Sequence, residues 1–173
     1  EVAGDYTLEM SLGDTVVKQL DRTVDAADAS ASNCRASGPE SGVAGAQLEL
    51  RLELRDKFDN IISTPSMDDE RRVASSAKGL ATDSIGFADG QFTIAYTPVR
   101  AGTFVAAVMY DSASTRSSPI TIQISPAAMS PPDTVAIFDA TAAVTAGRFA
   151  MVKLQTYDQY GNALSVGGAT VAA

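Results

Sequence analysis

Acidic side chains cluster in several short stretches, and carboxylates at that density could bind calcium or act as a pair in glycoside hydrolysis. The densest stretch, "SMDDER", contains Asp68, Asp69 and Glu70, and the others are "DKFDN", "DSIGFADG" and "DQYGN". None places alternating oxygen ligands before a closing Glu at the twelfth position, as an EF-hand loop does. No signature of a deep pocket accompanies the carboxylates. We therefore expect solvated loops and no metal site, with calcium at an acidic loop as the open alternative.

Other forms of catalysis lack the residue types they need. The sequence has no histidine and one cysteine, Cys34. This composition removes Ser-His-Asp and Cys-His activation of a nucleophile, and it removes the usual zinc sites. No glycine-rich loop opens a helix, so no phosphate cradle is predicted. We expect Cys34 to be a small buried or half-buried thiol, and we predict a non-enzymatic protein with no catalytic residue and no cofactor.

The charge of the chain limits its partners. Among 173 residues, 21 Asp and Glu stand against 13 Lys and Arg, which gives a formal net charge of −8. Nucleic acid and anionic membrane surfaces both require a basic face, so neither is expected as a partner. No apolar stretch approaches the ~20 residues that cross a bilayer, and no membrane insertion is predicted.

Two landmarks recur along the chain at a spacing of about a hundred residues. "DKFDN" at Asp56 returns as "DQYGN" at Asp158, 102 residues later, and "AGDYTLEMSL" at Ala3 returns as "AGTFVAAVMY" at Ala101, 98 residues later. Such a period is typical of a repeat array. It predicts the last strands of one repeat in 1–30, a complete repeat in 31–125 and the first strands of another in 126–173, within a longer polypeptide. These ranges are called the first, middle and third segments below.

Within a repeat, apolar residues alternate with polar ones. Leu48, Leu50, Leu52 and Leu54 alternate with Glu and Arg, and the same slots of the third segment hold Ala150, Val152, Leu154 and Thr156. A period of two indicates strands with one face on a core and one in water. Turn signals separate these runs, and many short strands in a unit of this size predict an antiparallel β-sandwich. The stretch "MDDERRVASSAKGLA" is interpreted as a loop and a short edge strand.

In combination these motifs resemble the filamin-type immunoglobulin-like repeat. The matching stretches are "ASGPESGVAGAQLELRLELRDKFDN", "DGQFTIAYTPVRAGTFVAAVMYDS" and "SSPITIQIS". The middle segment departs from the family pattern at Ser117, where a glycine is usual, at Ile120, where an aromatic residue is usual, and in "STPSMDDE", where two glycines are usual. The resemblance implies an all-β fold of tandem immunoglobulin-like β-sandwiches, with one complete repeat flanked by two partial repeats.

The resemblance also implies a binding site. Filamin-like repeats accept an extra strand from a protein partner along the groove between their third and fourth strands. In this chain those strands are expected within Arg71–Ala77 and Leu80–Phe87. The groove would take its apolar side chains from Val73, Ala74, Ile85 and Phe87, and Arg71 and Arg72 would attract an acidic segment. The alternative is an ordinary edge covered by its own loop or by the neighbouring repeat.

These features favour a structural spacer and protein-docking module of a cytoplasmic protein of the cytoskeleton or the cilium. Its partners would be cytoskeletal or ciliary proteins and the neighbouring repeats of the same chain. One alternative is an extracellular cell-surface adhesion ectodomain built from the same repeats, and a second is an accessory array on a larger enzyme or motor. A single cysteine and the lack of an Asn-x-Ser/Thr acceptor weigh against the extracellular alternative.

Overall fold

A computed structural model of the chain describes residues 1–78, 80, 82–137, 146–147 and 153–165. The predicted strand positions Ala150 and Val152 lie outside the described residues. The described residues form thirteen strands, one short α-helix and one 3₁₀ turn. They are β1 (Gly4–Leu12), β2 (Thr15–Val24), β3 (Arg35–Ser37), β4 (Ser41–Val43), β5 (Leu48–Glu53), α1 (Met67–Arg72), β6 (Val73–Ala77), β7 (Ser84–Ala88), β8 (Gln91–Tyr96), β9 (Gly102–Tyr110), β10 (Ala113–Ser114), β11 (Ile120–Ser125), a 3₁₀ turn (Pro131–Asp133), β12 (Val135–Ile137) and β13 (Lys153–Gln155).

The middle segment forms two sheets. One has the strand order β3-β5-β8-β7, and the other has the order β10-β9-β11-β4 with β6 paired to β9. β1 and β2 form a separate antiparallel hairpin, as do β12 and β13. The predicted all-β sandwich is confirmed. Among the described residues, neither α1 nor the 3₁₀ turn has the length and apolar character needed to cross a membrane.

By its internal contacts the chain divides into two compact units. The first consists of Glu1–Pro39, Glu49–Tyr96 and Val105–Thr121, and the second of Glu40–Leu48, Thr97–Phe104 and Ile122–Ala173. The units interleave along the sequence, so this division does not test the segment boundaries at residues 30 and 125. Those boundaries stay a prediction.

The core of the first unit follows the alternation seen in the sequence. Leu50, Leu52 and Leu54 are buried, whereas Glu49 and Arg51 between them are exposed. The other fully buried large side chains of this core come from β8 and β9 and are Phe92, Ile94, Tyr96, Val108 and Tyr110. Burying apolar side chains at every second position between two sheets is the main source of stability in such a fold.

Cys34 lies in the same core. It is fully buried, and its sulfur lies 3.7 Å from the carbonyl oxygen of Arg55. Burial raises the pKa of the thiol more than hydrogen bonds from the surrounding backbone lower it. The group is therefore held as an unreactive neutral thiol, as the sequence predicts.

Two-residue turns close two hairpins. Asp89 and Gly90 link β7 to β8 with φ of 52° and 76°, and Asp111 and Ser112 link β9 to β10 with φ of 52° and 63°. Positive φ at both central residues defines the type I′ turn, whose twist matches that of paired strands. The Asp-Gly pair that opens the stretch "DGQFTIAYTP" thus forms a tight turn before β8.

The interpretation of "MDDERR" as a loop is wrong, because these residues form α1. Ser66 caps the helix: its hydroxyl accepts the backbone N–H of Asp69, and the carboxylate of Asp69 accepts the backbone N–H of Ser66. This reciprocal pair is a capping box. Acidic residues in the first turn and arginines in the last turn complement the helix dipole. The charge cluster therefore stabilises a helix.

The second unit contains a parallel pair and the described part of the third segment. β4 pairs in parallel with the end of β11, from Gln123↔Ser41 to Ser125↔Val43. Gly42 leaves room here, since a β-carbon on it would lie 2.6 Å from a methyl group of Leu48. A turn at Gly45, with φ of 82°, follows β4.

Candidate functional site

The two strands predicted to flank the binding groove correspond to β6 and β7, which belong to different sheets. β6 pairs with β9 and β7 pairs with β8, and no further strand of the described chain pairs with either of them. A short connection joins β6 to β7 and includes a bridge between Ala77 and Leu80. Both strands are therefore sheet edges, and an edge strand has unpaired backbone groups that can bind a further strand.

The register of β7 directs its two large apolar side chains inward. Ile85 pairs with Ile94, and Phe87 pairs with Phe92. The partners on β8 are fully buried, whereas Ile85 is half-buried and Phe87 is 41% exposed. Directly paired residues share a face, so Ile85 and Phe87 extend the core to the open edge. The rings of Phe87 and Phe92 lie 5.1 Å apart between centroids.

The register of β6 separates the two residues that the sequence grouped together. Val73 pairs with Tyr110 and is 5% exposed, so it belongs to the core. Ala74 pairs with Met109 and faces the opposite side of the sheet. Val73 and Ala74 therefore point to opposite faces of β6, because neighbouring residues of a strand alternate in direction, and the part of either residue in a binding groove stays a prediction.

Arg71 and Arg72 are the last residues of α1 and directly precede β6. Arg72 has partners: Nη2 lies 2.9 Å from Asp111 Oδ2, Nη1 donates to the hydroxyl of Tyr110 at 3.1 Å, and the guanidinium lies 5.1 Å from the Tyr110 ring centroid. Arg71 Nη1 lies 3.6 Å from Asp68 Oδ1 on the surface. Arg72 is thus engaged in holding α1 on the sandwich.

A polar cluster that sequence reasoning missed closes the space between the two edge strands. The hydroxyl of Tyr96 on β8 donates to Ser75 Oγ on β6 at 2.6 Å, and Ser75 Oγ donates to the carbonyl of Ala107 at 2.9 Å. Thr82, in the connection, donates to the Tyr96 hydroxyl at 3.3 Å. Hydrogen bonds therefore join the two sheets at this edge. The sequence could have indicated Ser75, because alternate residues of a strand share a face and Ser75 lies between Val73 and Ala77 on the inward face of β6.

The outer face beside β7 has a shallow depression with a volume of about 390 Å³. Its lining includes Gly86 of β7, Gln91 and Thr93 of β8, and Glu49 and Arg51 of β5. A β-carbon on Gly86 would meet no atom within 4 Å. A glycine in a strand permits close approach of another backbone. Gly86, in the middle of β7, is exposed and leaves room for a further backbone.

The repeated "DKFDN" and "DQYGN" stretches form a second organised feature. Asp56 is fully buried, and its Oδ1 accepts the backbone N–H groups of Phe58 at 2.8 Å and Asn60 at 2.9 Å. Its Oδ2 accepts the backbone N–H of Ala27 at 2.9 Å and the side-chain amide of Asn60 at 2.8 Å. Burial by itself raises the pKa of Asp56, but these hydrogen bonds outweigh it and lower the pKa to about 2.

Asp158 repeats this arrangement in the second unit. Its carboxylate accepts N–H groups from Tyr160, Asn162, the Asn162 side chain and Ala127, at 2.8 to 2.9 Å. Its pKa is lowered to about 2 for the same reasons. The left-handed position of the turn is Asp59, with φ of 69°, and its equivalent is Gly161, with φ of 80°. The described residues include no group of three or more His, Cys, Asp or Glu that could hold a metal ion. The buried carboxylates serve the turn.

No protein-family model and no curated protein matches the sequence. Solved structures match at low identity. FdeC, an adhesin of Escherichia coli, aligns with 94% of this chain at 17% identity and a TM-score of 0.65, and invasin, a bacterial integrin-binding protein, aligns with 94% at 14% identity and a TM-score of 0.60. The Lin-41 filamin domain aligns with 57% of the chain at 16% identity and a TM-score of 0.48, over 98% of its own length.

The likenesses to FdeC and invasin establish the fold. The chain spans 53% of the FdeC structure and 34% of the invasin structure. The chain therefore has an all-β, immunoglobulin-like sandwich fold, as its resemblance to filamin-type repeats predicts, and it shares this fold with bacterial adhesins.

Proposed function

We propose that this chain is a non-enzymatic spacer of tandem immunoglobulin-like repeats in a cell-surface adhesion protein. The observation that supports it best is the match to FdeC, which covers 94% of the chain at a TM-score of 0.65. The alignment therefore extends beyond the middle segment into the first and third segments. The cytoskeletal or ciliary setting expected from the sequence has no comparable support, because the multi-repeat structures that match come mostly from bacterial adhesins.

The chemistry of the described residues agrees with a spacer. The buried carboxylates of Asp56 and Asp158 are saturated by N–H donors, and the acidic stretch at 68–70 lies in α1. The one cysteine is buried. These groups are used for structure, which leaves surface and edges for interaction with other proteins. An accessory array on an enzyme or motor stays an untested alternative.

Labelling of intact cells tests this proposal. An antibody raised against the 173-residue chain is applied to cells that express the full-length protein, before and after permeabilisation. We expect staining of intact cells, removed by external protease. Staining that appears only after permeabilisation would contradict a surface location and restore the cytoplasmic alternative.

A second candidate function is strand addition at the edge formed by β6 and β7. The observation that favours it is the half-exposed Phe87 beside Gly86 on β7, which among the described strands pairs with β8 alone. A partner strand would hydrogen-bond to the β7 backbone and cover Phe87 and Ile85 with its own apolar side chains.

Amide chemical shifts test the edge. A short peptide of alternating Val and Ser residues is titrated into the labelled chain, with Phe87→Lys as the variant and Phe58→Lys as the matched control, since Phe58 is also exposed, at 39%. We expect shifts confined to 73–77 and 84–88 that Phe87→Lys abolishes. Shifts spread evenly over the surface, or no shifts, would count against this candidate.

A further inference from the structure

The side chain of Asn162, at the end of "DQYGN", reaches the middle segment. Its Oδ1 accepts the backbone N–H of Ala101 at 2.8 Å, and its Nδ2 donates to the carbonyl of Val99 at 2.8 Å. The second hydrogen of Nδ2 goes to Asp158 Oδ2, also at 2.8 Å. Both amide hydrogens and the amide oxygen are therefore used, and two of the three bonds cross from the third segment to the middle one.

Asn60 makes the same contacts at the previous junction. Its Oδ1 accepts the backbone N–H of Ala3 at 2.9 Å, and its Nδ2 donates to the carbonyl of Glu1 at 3.2 Å and to Asp56 Oδ2 at 2.8 Å. The partners Glu1 and Ala3 stand 98 residues before Val99 and Ala101. The same five-atom arrangement thus occurs twice, in two different compact units.

The chemistry explains why the motif ends in Asn. The amide binds a carbonyl and an N–H two residues apart, just as a paired strand would bind them, so the side chain replaces a piece of backbone. An aspartate at this position has no donor and would face the carboxylate of Asp158. A glutamine carries the same amide one methylene further from the backbone.

The residues between the last strand of one repeat and the first strand of the next, 25–34 and 126–134, are called the linker here. The linker takes part in the same contact. The Asp at the start of each motif accepts the N–H of a linker residue, Ala27 for Asp56 and Ala127 for Asp158. It also holds the Asn amide through the same oxygen, Oδ2. One buried carboxylate therefore orients both the linker and the Asn side chain.

We propose that Asp-x-x-x-Asn is a joint between successive repeats, in which the Asn amide binds the backbone that leads into Ala-Gly in the preceding repeat. The Asp holds the Asn and the linker in place, so the joint fixes the orientation of one repeat on the next. The partner that fits the joint is a backbone segment that presents a carbonyl and, two residues later, an N–H. Asn60 and Asn162 are the residues that bind this segment.

Residual dipolar couplings of backbone amides test the joint in the 173-residue chain. In the wild type we expect couplings from 97–104 and 122–125 and from 153–165 to fit one alignment tensor. In Asn162→Ala we expect the 153–165 couplings to need a separate and weaker tensor. Asn60→Ala should have the same effect on 4–24 relative to 49–53, and should leave the 153–165 couplings in agreement with those of 97–104 and 122–125.

Gln123→Ala is the matched control, because the Gln123 amide bonds Thr103 within the middle segment at 3.1 Å. Unchanged shifts of Leu50 and Ile94 in the first unit, and of Ile124 in the second, show that the core of each variant is folded. If either core unfolds, the other Asn variant carries the test. A single tensor in both Asn variants, or two tensors in the wild type, would overturn the proposal. The result does not depend on where the protein is located, so it is independent of the cell-labelling test.

Discussion

Gly45 leaves the space that the Tyr160 ring occupies. A β-carbon on Gly45 would overlap the Tyr160 hydroxyl and lie 2.6 Å from Cζ of the ring. Gly45 also has φ of 82°, in the region that favours glycine. The aromatic residue of "DQYGN" in the third segment therefore packs against a glycine of the middle segment, next to the contacts of Asn162.

We expect Gly45→Ala to displace the Tyr160 ring and to destabilise the chain by about 1–2 kcal/mol through its positive φ. Gly147→Ala is the matched control, since Gly147 has φ of 80° and a β-carbon there would meet no atom within 4 Å. Ring proton shifts of Tyr160 report the displacement. Equal ring shifts in the two variants would contradict the packing of Tyr160 on Gly45.

Low pH should lower the unfolding free energy of the chain by protonating the buried carboxylates. Asp56 and Asp158 have pKa values lowered to about 2, below the ~3.9 of an unfolded Asp. The folded state then binds fewer protons than the unfolded state, so this stabilisation is complete above pH ~4 and is lost as the pH falls towards ~2.

The unfolding free energy, measured in urea between pH 2 and 7, tests this expectation with Asp56→Asn. The variant should be less stable than the wild type at pH 7, because an amide cannot accept the four N–H donors as a carboxylate does. Below pH ~4 the unfolding free energy of the variant should fall less steeply than that of the wild type. The reason is that the difference in bound protons between the unfolded and folded states is smaller by about one. If the unfolding free energy of the two proteins fell with the same slope below pH ~4, the role given to Asp56 would be contradicted.

The alternation in β5 predicts opposite results at neighbouring positions. Leu52 is fully buried, so Leu52→Ala should cost about 2–5 kcal/mol in unfolding free energy. Arg51 is exposed on the other face, and Arg51→Ala should change the free energy by less than about 0.5 kcal/mol. Equal costs in urea unfolding would contradict the inward direction of the leucines.

The hydroxyl of Tyr110 links α1 to the sandwich. It donates to Asp69 and accepts from Arg72, and burial together with the Asp69 carboxylate raises the pKa of Tyr110. We expect Tyr110→Phe to lower the unfolding free energy by about 1–3 kcal/mol and to speed amide exchange in α1. Tyr6→Phe is the control, since its exposed hydroxyl bonds only the carbonyl of Val2 among the described contacts. Similar effects of the two changes would argue against the link.

The strands were predictable from local patterns, whereas α1 was not. Alternating leucines identify β5 because burial on one face imposes a period of two. A helix of six residues is too short to display a period of 3.6, and α1 depends on a cap at Ser66 and on the distant Tyr110. The spacing of Ser66 and Asp69 was the one local signal of that cap.

The candidate site was predicted less well, because its residues depend on register and on long-range contacts. Val73 and Ala74 are neighbours in one strand, so alternation alone predicts that their side chains point to opposite faces. The side-chain contacts of Asn60 and Asn162 reach residues 57 to 63 positions away in the sequence, which no local pattern indicates. The recurrence of both landmarks, at spacings of 102 and 98 residues, was the sequence signal for a contact between them.

Amide hydrogen exchange at Ala101 tests the joint between repeats most directly. This N–H belongs to the connection between β8 and β9, and its partner is a side chain 61 residues away. The account predicts slow exchange of Ala101 in the wild type and loss of this protection in Asn162→Ala, while the Ala3 amide stays protected by Asn60. Exchange of Ala101 as fast as in an unstructured peptide in the wild type, or equal protection in the variant, would contradict it.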